Sequence, residues 1–370
     1  MKIGLDLRML SGGSGVSRYI SELTSQVLEL DKNNQYVLFF KELDENSKPY
    51  EKFGQKMVKT GIPHYSFLEQ SKLPSILNKE KLDLVHFPHF NVPLVYRKPF
   101  VVTIHDLTHT LFPGRKKSHM IHRLAYNMVF ASAIKNSKKI IAVSNSTKND
   151  IVNHFSVDES KIKVIYEATS RKYSMINRDD AAIEVFKKFG INKPFILFVG
   201  EWRRYKNLPS LAYAFDKLIN DGHDIYLVLA GKEDPFYPEI KQQIFSIKHK
   251  DRVKALGRVS DEDLNFLYNA CQVFALPSLA EGFGLIALEA ATCGTALAIS
   301  DIPTLREMMG SGAVYFDPNN VGNIADTLDE LLRNAQKRED LANAALRRTQ
   351  YFSWKKAASE TIELYESALK

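Results

Sequence analysis

The sequence predicts an α/β protein built from two doubly wound parallel-sheet domains, and three observations predict it. Short apolar runs that read as buried strands alternate with amphipathic helical stretches from Lys2 to Ile165, and again from Phe195 onward. A polar, charged stretch, Glu167 to Asn192, divides the two alternations and reads as a linker with one short helix. The strands run into loops rich in glycine, cations or carboxylates, which is where such sheets hold their ligands. The domains are expected at 1–175 and 190–353.

Composition agrees with that architecture. The 370 residues suffice for two domains, and a hydrophobic share of 45% supports sizeable cores. No apolar run approaches bilayer length. Asp6 and Arg8 stand where a signal peptide would be apolar, so a cytoplasmic protein is expected. The two cysteines, Cys271 and Cys293, lie in apolar or small-residue segments and read as inert core thiols in a reducing compartment. No Cys/His spacing suits zinc. The net charge of +7 is too diffuse to argue for nucleic acid, but it suits an anionic small substrate or an anionic membrane face.

In the first half, Lys2–Leu7 reads as a strand. The glycine-rich run Ser11–Tyr19 follows, then a helix with Ile20, Leu23, Val27 and Leu28 on one face. Strand, glycine loop and helix make a phosphate-type cradle, although the dinucleotide spacing is absent. Tyr36–Phe40, Leu82–Phe87, Phe100–Ile104, Lys139–Val143 and Ile162–Ile165 read as further strands, and Ser144 caps a helix. His105 directly follows the strand Phe100–Ile104, at the end that faces ligand in such sheets. His64, His154, His223 and His249 read as hydrogen-bonded structural residues. Arg115–Arg123 opens a helix with a basic first turn, against the helix dipole. A solvated face explains it, and so would contact with anionic headgroups or a lipid-diphosphate acceptor.

The second alternation opens with Phe195–Val199, then Gly200-Glu201-Trp202-Arg203-Arg204-Tyr205-Lys206-Asn207. Asn207 reads as an N-cap, and the three cations before it suit a diphosphate. Ile225–Leu229 and Val253–Leu256 are strands. Asp261-Glu262-Asp263 has a metal-type Asp-x-Asp spacing, but it opens a helix, so capping and dipole compensation explain it better and no metal is assigned. The central stretch is Phe274–Ile299: a buried strand, Pro277-Ser278, then Glu281-Gly282-Phe283-Gly284-Leu285 running into a helix that carries Glu289. Gly282 and Gly284 leave room for a ligand against the backbone. Glu289 lies among Ile286, Leu288, Ala290 and Ala291, and a carboxylate there needs a partner.

Pro-Ser-x-x-Glu-Gly-Phe-Gly-Leu with a second glutamate eight positions after the first closely resembles the signature of the retaining glycosyltransferases of family four. The Gly…Lys206-Asn207 and Thr103-x-His105-Asp106 patterns, and a first loop with Gly15-x-x-Arg-Tyr, extend the resemblance over nearly the whole chain. It implies the GT-B fold, two Rossmann-like doubly wound domains facing a central cleft, with a C-terminal helix at about 354–370 packing back on the first domain. It also implies site residues. Lys206 and Arg204 would hold the diphosphate. This family often places an arginine directly after the glycine, where this chain has Glu201, so Arg203 competes with Arg204 for that role. Gly15 and Gly200 would lie near the phosphates, and Val259 at the base. Glu281, Gly282, Phe283, Gly284 and Leu285 would line the sugar and phosphate pocket. Glu289 would take the ribose hydroxyls, and His105 would reach the donor sugar.

The implied reaction moves a hexose from a nucleotide-diphosphate sugar, with retention, to a glycan or lipid-linked glycan acceptor, and needs no metal or other cofactor. Lys206, Arg204 and helix N-termini would stabilise the leaving diphosphate. Because Glu281 and Glu289 come from one element, they cannot flank a sugar as a hydrolase pair does, so they are expected to bind rather than attack. The opening Ile-Gly-Leu-Asp-Leu-Arg looks most like bacterial surface-polysaccharide mannosyltransferases that use GDP-mannose, which places the protein in the cytoplasm or at the inner membrane face. UDP-sugar and rhamnose donors stay open. A nucleotide-sugar-binding regulator without catalysis is the alternative of another class, and intact Glu281, Lys206 and His105 argue against it.

Overall fold

A computed structural model describes residues 1–12, 15–111 and 120–369. The chain forms two compact units. Gly13, Ser14 and Arg115–His119, to which the sequence reading gave a phosphate cradle and a basic helix turn, lie outside the described residues.

The first unit holds a seven-stranded sheet: β1 (Lys2–Asp6), β2 (Gln35–Phe40), β3 (Lys56–Lys59), β4 (Leu84–Phe87), β5 (Phe100–Ile104), β6 (Lys139–Ala142) and β7 (Ile162–Val164), in the order β3-β2-β1-β4-β5-β6-β7. Every pairing is parallel. Helices cover both faces, so the central strands are buried throughout and read as unbroken apolar runs. Phe39, Leu77, Val85, Phe87, Phe100 and Ile140 belong to one packed core. The helix Gly15–Leu30 buries Tyr19, Ile20, Leu23 and Val27 on one face. The C-terminal helix Trp354–Ser367 packs on it within the same unit, with Trp354 against the Tyr19 ring at 5.9 Å.

The second unit holds six parallel strands: β8 (Phe195–Val199), β9 (Tyr226–Ala230), β10 (Val253–Gly257), β11 (Val273–Leu276), β12 (Leu297–Ser300) and β13 (Val314–Phe316), in the order β10-β9-β8-β11-β12-β13. In both sheets the winding reverses once, between β1 and β4 and between β8 and β11. The carboxyl ends of those strands are where a doubly wound sheet opens a crevice.

One boundary differs from expectation. The first unit's central segment stops at Glu167, not near 175, and the stretch expected to be a linker is part of the second unit. The reason is polar anchoring. Lys172 Nζ donates to Asp261 at 2.8 Å, and the backbone N–H groups of Ser174 and Ile176 donate to Asn265 at 3.1 Å and Asn269 at 2.9 Å. The helix Arg178–Phe189 then follows, capped by Asn177 and packed on the helix Asp261–Ala270. Strands β3, β12 and β13 were not read from the sequence: a four-residue half-buried edge and a three-residue strand show no periodicity, and Leu297–Ser300 merges into the small apolar run that follows the Glu289 helix.

Candidate functional site

The second unit's site is built on the two strands that flank its switch point. After β8 the chain turns through Gly200, and Arg204–Lys206 forms one 3-10 turn. After β11 it runs through Pro277 and Ser278 to Glu281, and the helix Leu285–Thr292 begins behind Gly284. The N–H of Leu279 donates to the Tyr205 carbonyl at 2.7 Å, stitching the two loops together. Gly284 has φ of 86°, and a Cβ there would lie 2.8 Å from Leu305 Cδ2, so both backbone and space demand glycine.

Those loops bring Lys206 and Glu281 together. Lys206 Nζ donates to Glu281 Oε1 at 2.7 Å, with both side chains about nine-tenths buried, at 11% and 10% exposure. The Glu281 carbonyl accepts from Thr304 Oγ1 at 2.9 Å, which fixes the loop from behind. Phe283 is buried and packs edge-on against Phe352, while Gly282 and Leu285 are half-buried beside it. Glu289 is fully buried and accepts from the Tyr268 hydroxyl at 3.1 Å. The sequence's demand for a partner at that carboxylate is thus met by Tyr268.

The two arginines go elsewhere. Arg204 is exposed and donates to Glu239 at 3.0 Å, with its guanidinium 5.6 Å from the Tyr237 ring centroid. Arg203 pairs with Glu201 at 2.8 Å and approaches Asp234 at 3.5 Å. Asn207 does not cap. It takes a left-handed φ of 54°, its Nδ2 donates to the Pro318 carbonyl at 2.7 Å, and its Oδ1 accepts from Ser210. Val259 lies half-buried in the loop after β10. Asp263 accepts from the Ser260 hydroxyl and pairs with Lys188, and Asp261 pairs with Lys172, so the Asp-x-Asp run serves a helix start and ion pairs.

In the first unit, His105 sits directly after β5. Nδ1 lies 2.9 Å from Glu167 Oε1, and Nε2 lies 2.9 Å from the Pro88 carbonyl. Burial pushes the ring's pKa down, but the Glu167 hydrogen bond and charge outweigh it, helped by the Pro88 carbonyl and Asp106, so His105 is held above the usual histidine range. Beside it runs a neutral chain: Tyr365 OH to His86 Nδ1 at 2.7 Å, His86 Nε2 to Thr103 Oγ1 at 2.8 Å, and Thr103 to Tyr19 OH at 2.9 Å. Burial, with the nearby His105, pushes His86 down to about 3. Gly15 opens its helix with open space where a Cβ would stand. Sequence reasoning gave Glu167 no role beyond the start of the linker. The available signal was a carboxylate just beyond the carboxyl end of the last strand.

Comparison with known proteins agrees with this geometry. Two parallel Rossmann-like sheets with ligand loops at their switch points make the class one of GT-B type. The glycosyl transferases group 1 family matches residues 182–348, and Glycosyltransferase Family 4 matches residues 13–170. An uncharacterized glycosyltransferase of Methanocaldococcus jannaschii is 30% identical over 319 residues, 82% of this chain and 80% of that protein. The O-antigen chain mannosyltransferase B of Escherichia coli is 28% identical over 309 residues, again 82% and 80%. The solved structure of Anabaena HepE with UDP and glucose superposes with a TM-score of 0.78 at 19% identity, covering 99% of this chain and all of that one, which speaks to the fold. The chain belongs to the glycosyltransferases.

Proposed function

We propose that the protein is a retaining hexosyltransferase that moves mannose from GDP-mannose to a glycan or lipid-linked glycan acceptor in surface-polysaccharide synthesis. The observation that carries the site assignment is the Lys206–Glu281 pair at 2.7 Å, on the two loops of the second sheet's switch point. A diphosphate would take Lys206 from Glu281, leaving the carboxylate to accept from sugar hydroxyls. One exchange of partners then serves both ends of the donor's glycosidic bond. Lys206 stabilises charge that grows on the leaving diphosphate, and its low exposure makes such a contact count for more than it would in water. Glu289 reads the ribose, and its bond to Tyr268 fixes the carboxylate for that. The acceptor hydroxyl attacks on the face the phosphate leaves, and a phosphate oxygen takes its proton. No metal is required in this scheme.

Mannose is favoured by the likeness to the mannosyltransferase of Escherichia coli and by the sequence's opening run. Contact with an anionic membrane belongs to the same reading, because the helix Met120–Asn136 exposes Leu124 and Met128 beside Arg123. No helix among the described residues is long and apolar enough to cross a membrane.

The test is a panel of GDP-mannose, UDP-glucose, UDP-N-acetylglucosamine and a rhamnose donor, read by donor hydrolysis and by thermal shift. A ligand at a hundredfold excess over its Kd raises folded-state stability by about 2.7 kcal/mol. GDP-mannose alone should do both. Turnover of a UDP-sugar instead would overturn the donor assignment and leave the family assignment standing.

A further inference from the structure

His105 has two ring nitrogens and both face acceptors. The Pro88 carbonyl can only accept, so Nε2 carries a proton. Nδ1 faces a carboxylate that is 3% exposed, and a proton there completes an imidazolium–carboxylate pair. Among the described residues, two carboxylates favour that charge. Glu167 comes from beyond β7, and Asp106 is next in the chain. The Tyr19 ring, from the helix Gly15–Leu30, meets the imidazole edge-to-face at 4.7 Å. The Thr147 hydroxyl, from the helix Asn145–Phe155, donates to the His105 carbonyl at 3.2 Å. Two further histidines approach: the His89 ring lies 6.0 Å away, and His86 resists protonation, so it adds no competing charge.

We propose that Glu167 is the positioning residue for His105 within the first unit: it holds His105 as an imidazolium whose Nε2–H points in one fixed direction, toward an acceptor oxygen. Resting on the reading of His105 as a group that reaches the donor sugar, this assigns the ring's work to a donated, charge-assisted hydrogen bond, with the Pro88 carbonyl occupying the direction a sugar hydroxyl would take. A neutral histidine in the same place would still carry its proton on Nε2, but the hydrogen bond it donates would lose its charge assistance. Glu167 never needs to touch substrate. Its reach comes from β5 and β7 lying on either side of β6 in a parallel sheet, so their carboxyl ends open at the same sheet edge, one strand apart.

The experiment has a spectroscopic arm that needs no donor and a kinetic arm that does. Protein labelled with nitrogen-15 histidine is followed by long-range proton–nitrogen NMR between pH 6 and pH 8.5, with His105→Asn assigning the signal. Wild type should show His105 as imidazolium at pH 7.5. Glu167→Gln should show the neutral ring with the proton on Nε2 at that pH, and Glu167→Asp, which keeps the charge, should keep the imidazolium at least in part. With GDP-mannose hydrolysis as the readout, Glu167→Gln should lower kcat about tenfold or more at pH 8, the worth of one hydrogen bond to a charged group. The defect should shrink toward pH 6, where solvent protons restore the imidazolium. A neutral His105 in wild type overturns the proposal whatever the activity shows. So does a Glu167→Gln defect of equal size at both pH values. Unchanged turnover in His105→Asn, with the imidazolium signal present in wild type, instead sinks the donor-side reading of His105 and the catalytic consequence drawn from it.

Discussion

At the level of single residues, the second unit's site turns on which partner each charge keeps. Lys206→Ala should cut turnover by about 10²–10³, the loss seen when one donor to a developing oxyanion is removed, while weakening nucleotide binding far less. Steady-state kinetics against calorimetric titration with GDP would separate the two, and unchanged turnover at saturating donor would remove Lys206 from the reaction. Glu281→Gln should leave GDP affinity intact or slightly improved, since the variant frees Lys206 of its competitor, and should impair transfer. Glu289→Gln should weaken GDP and GDP-mannose alike, about tenfold or more. These residues were legible because the signals are local: two glutamates eight apart, and a lysine beside an asparagine. The His105–Glu167 pair spans 62 positions. No short pattern encodes it, and only the order of strands in a folded sheet brings the two together.

At the level of elements, strand–loop–helix units do the placing, and the loops tolerate little change. Gly284→Ala would force a Cβ onto Leu305 at a left-handed φ, so it should destabilise by about 1–3 kcal/mol in urea denaturation and misplace the start of the helix that carries Glu289. A neutral result would mean that the loop can refold around a side chain. Most strands were readable for the same reason that they are stable: buried on both faces, they are continuous apolar runs. What could not be read was polar anchoring over distance. Residues 172–176 look like linker by composition, yet Asp261, Asn265 and Asn269 on one helix face hold them.

For the molecule as a whole, His86 and His105 pull stability in opposite directions with pH. His86 has a folded value near 3 against about 6.5 unfolded, so the unfolded chain takes up a proton that the folded one refuses. Its contribution is complete above about pH 6.5 and is lost at about 1.4 kcal/mol for each pH unit crossed on the way down. His105, held above its ordinary value, contributes fully below about pH 6.5 and loses that contribution as pH rises through its folded value. Urea denaturation from pH 7 to pH 4 should therefore fall less steeply for His86→Gln than for wild type. Parallel curves would show that His86 is protonated in the folded state. Activity should also survive EDTA, because lysines already engage Asp261 and Asp263; complete loss restored by magnesium would reverse that assignment.

The helix Trp354–Ser367 completes the first sheet's outer layer, yet it follows the entire second unit in the chain. A ribosome therefore delivers all of β1–β7 long before the segment whose Tyr365 closes the bond to His86 and whose Trp354 covers Tyr19. The second unit, continuous from Ala168 to Phe352, can fold while the earlier-made half still waits with an apolar flank open. Synthesis order and completion order are thus reversed. A nascent chain stalled before Ser353 should leave its second unit resistant to protease and its first unit readily cut.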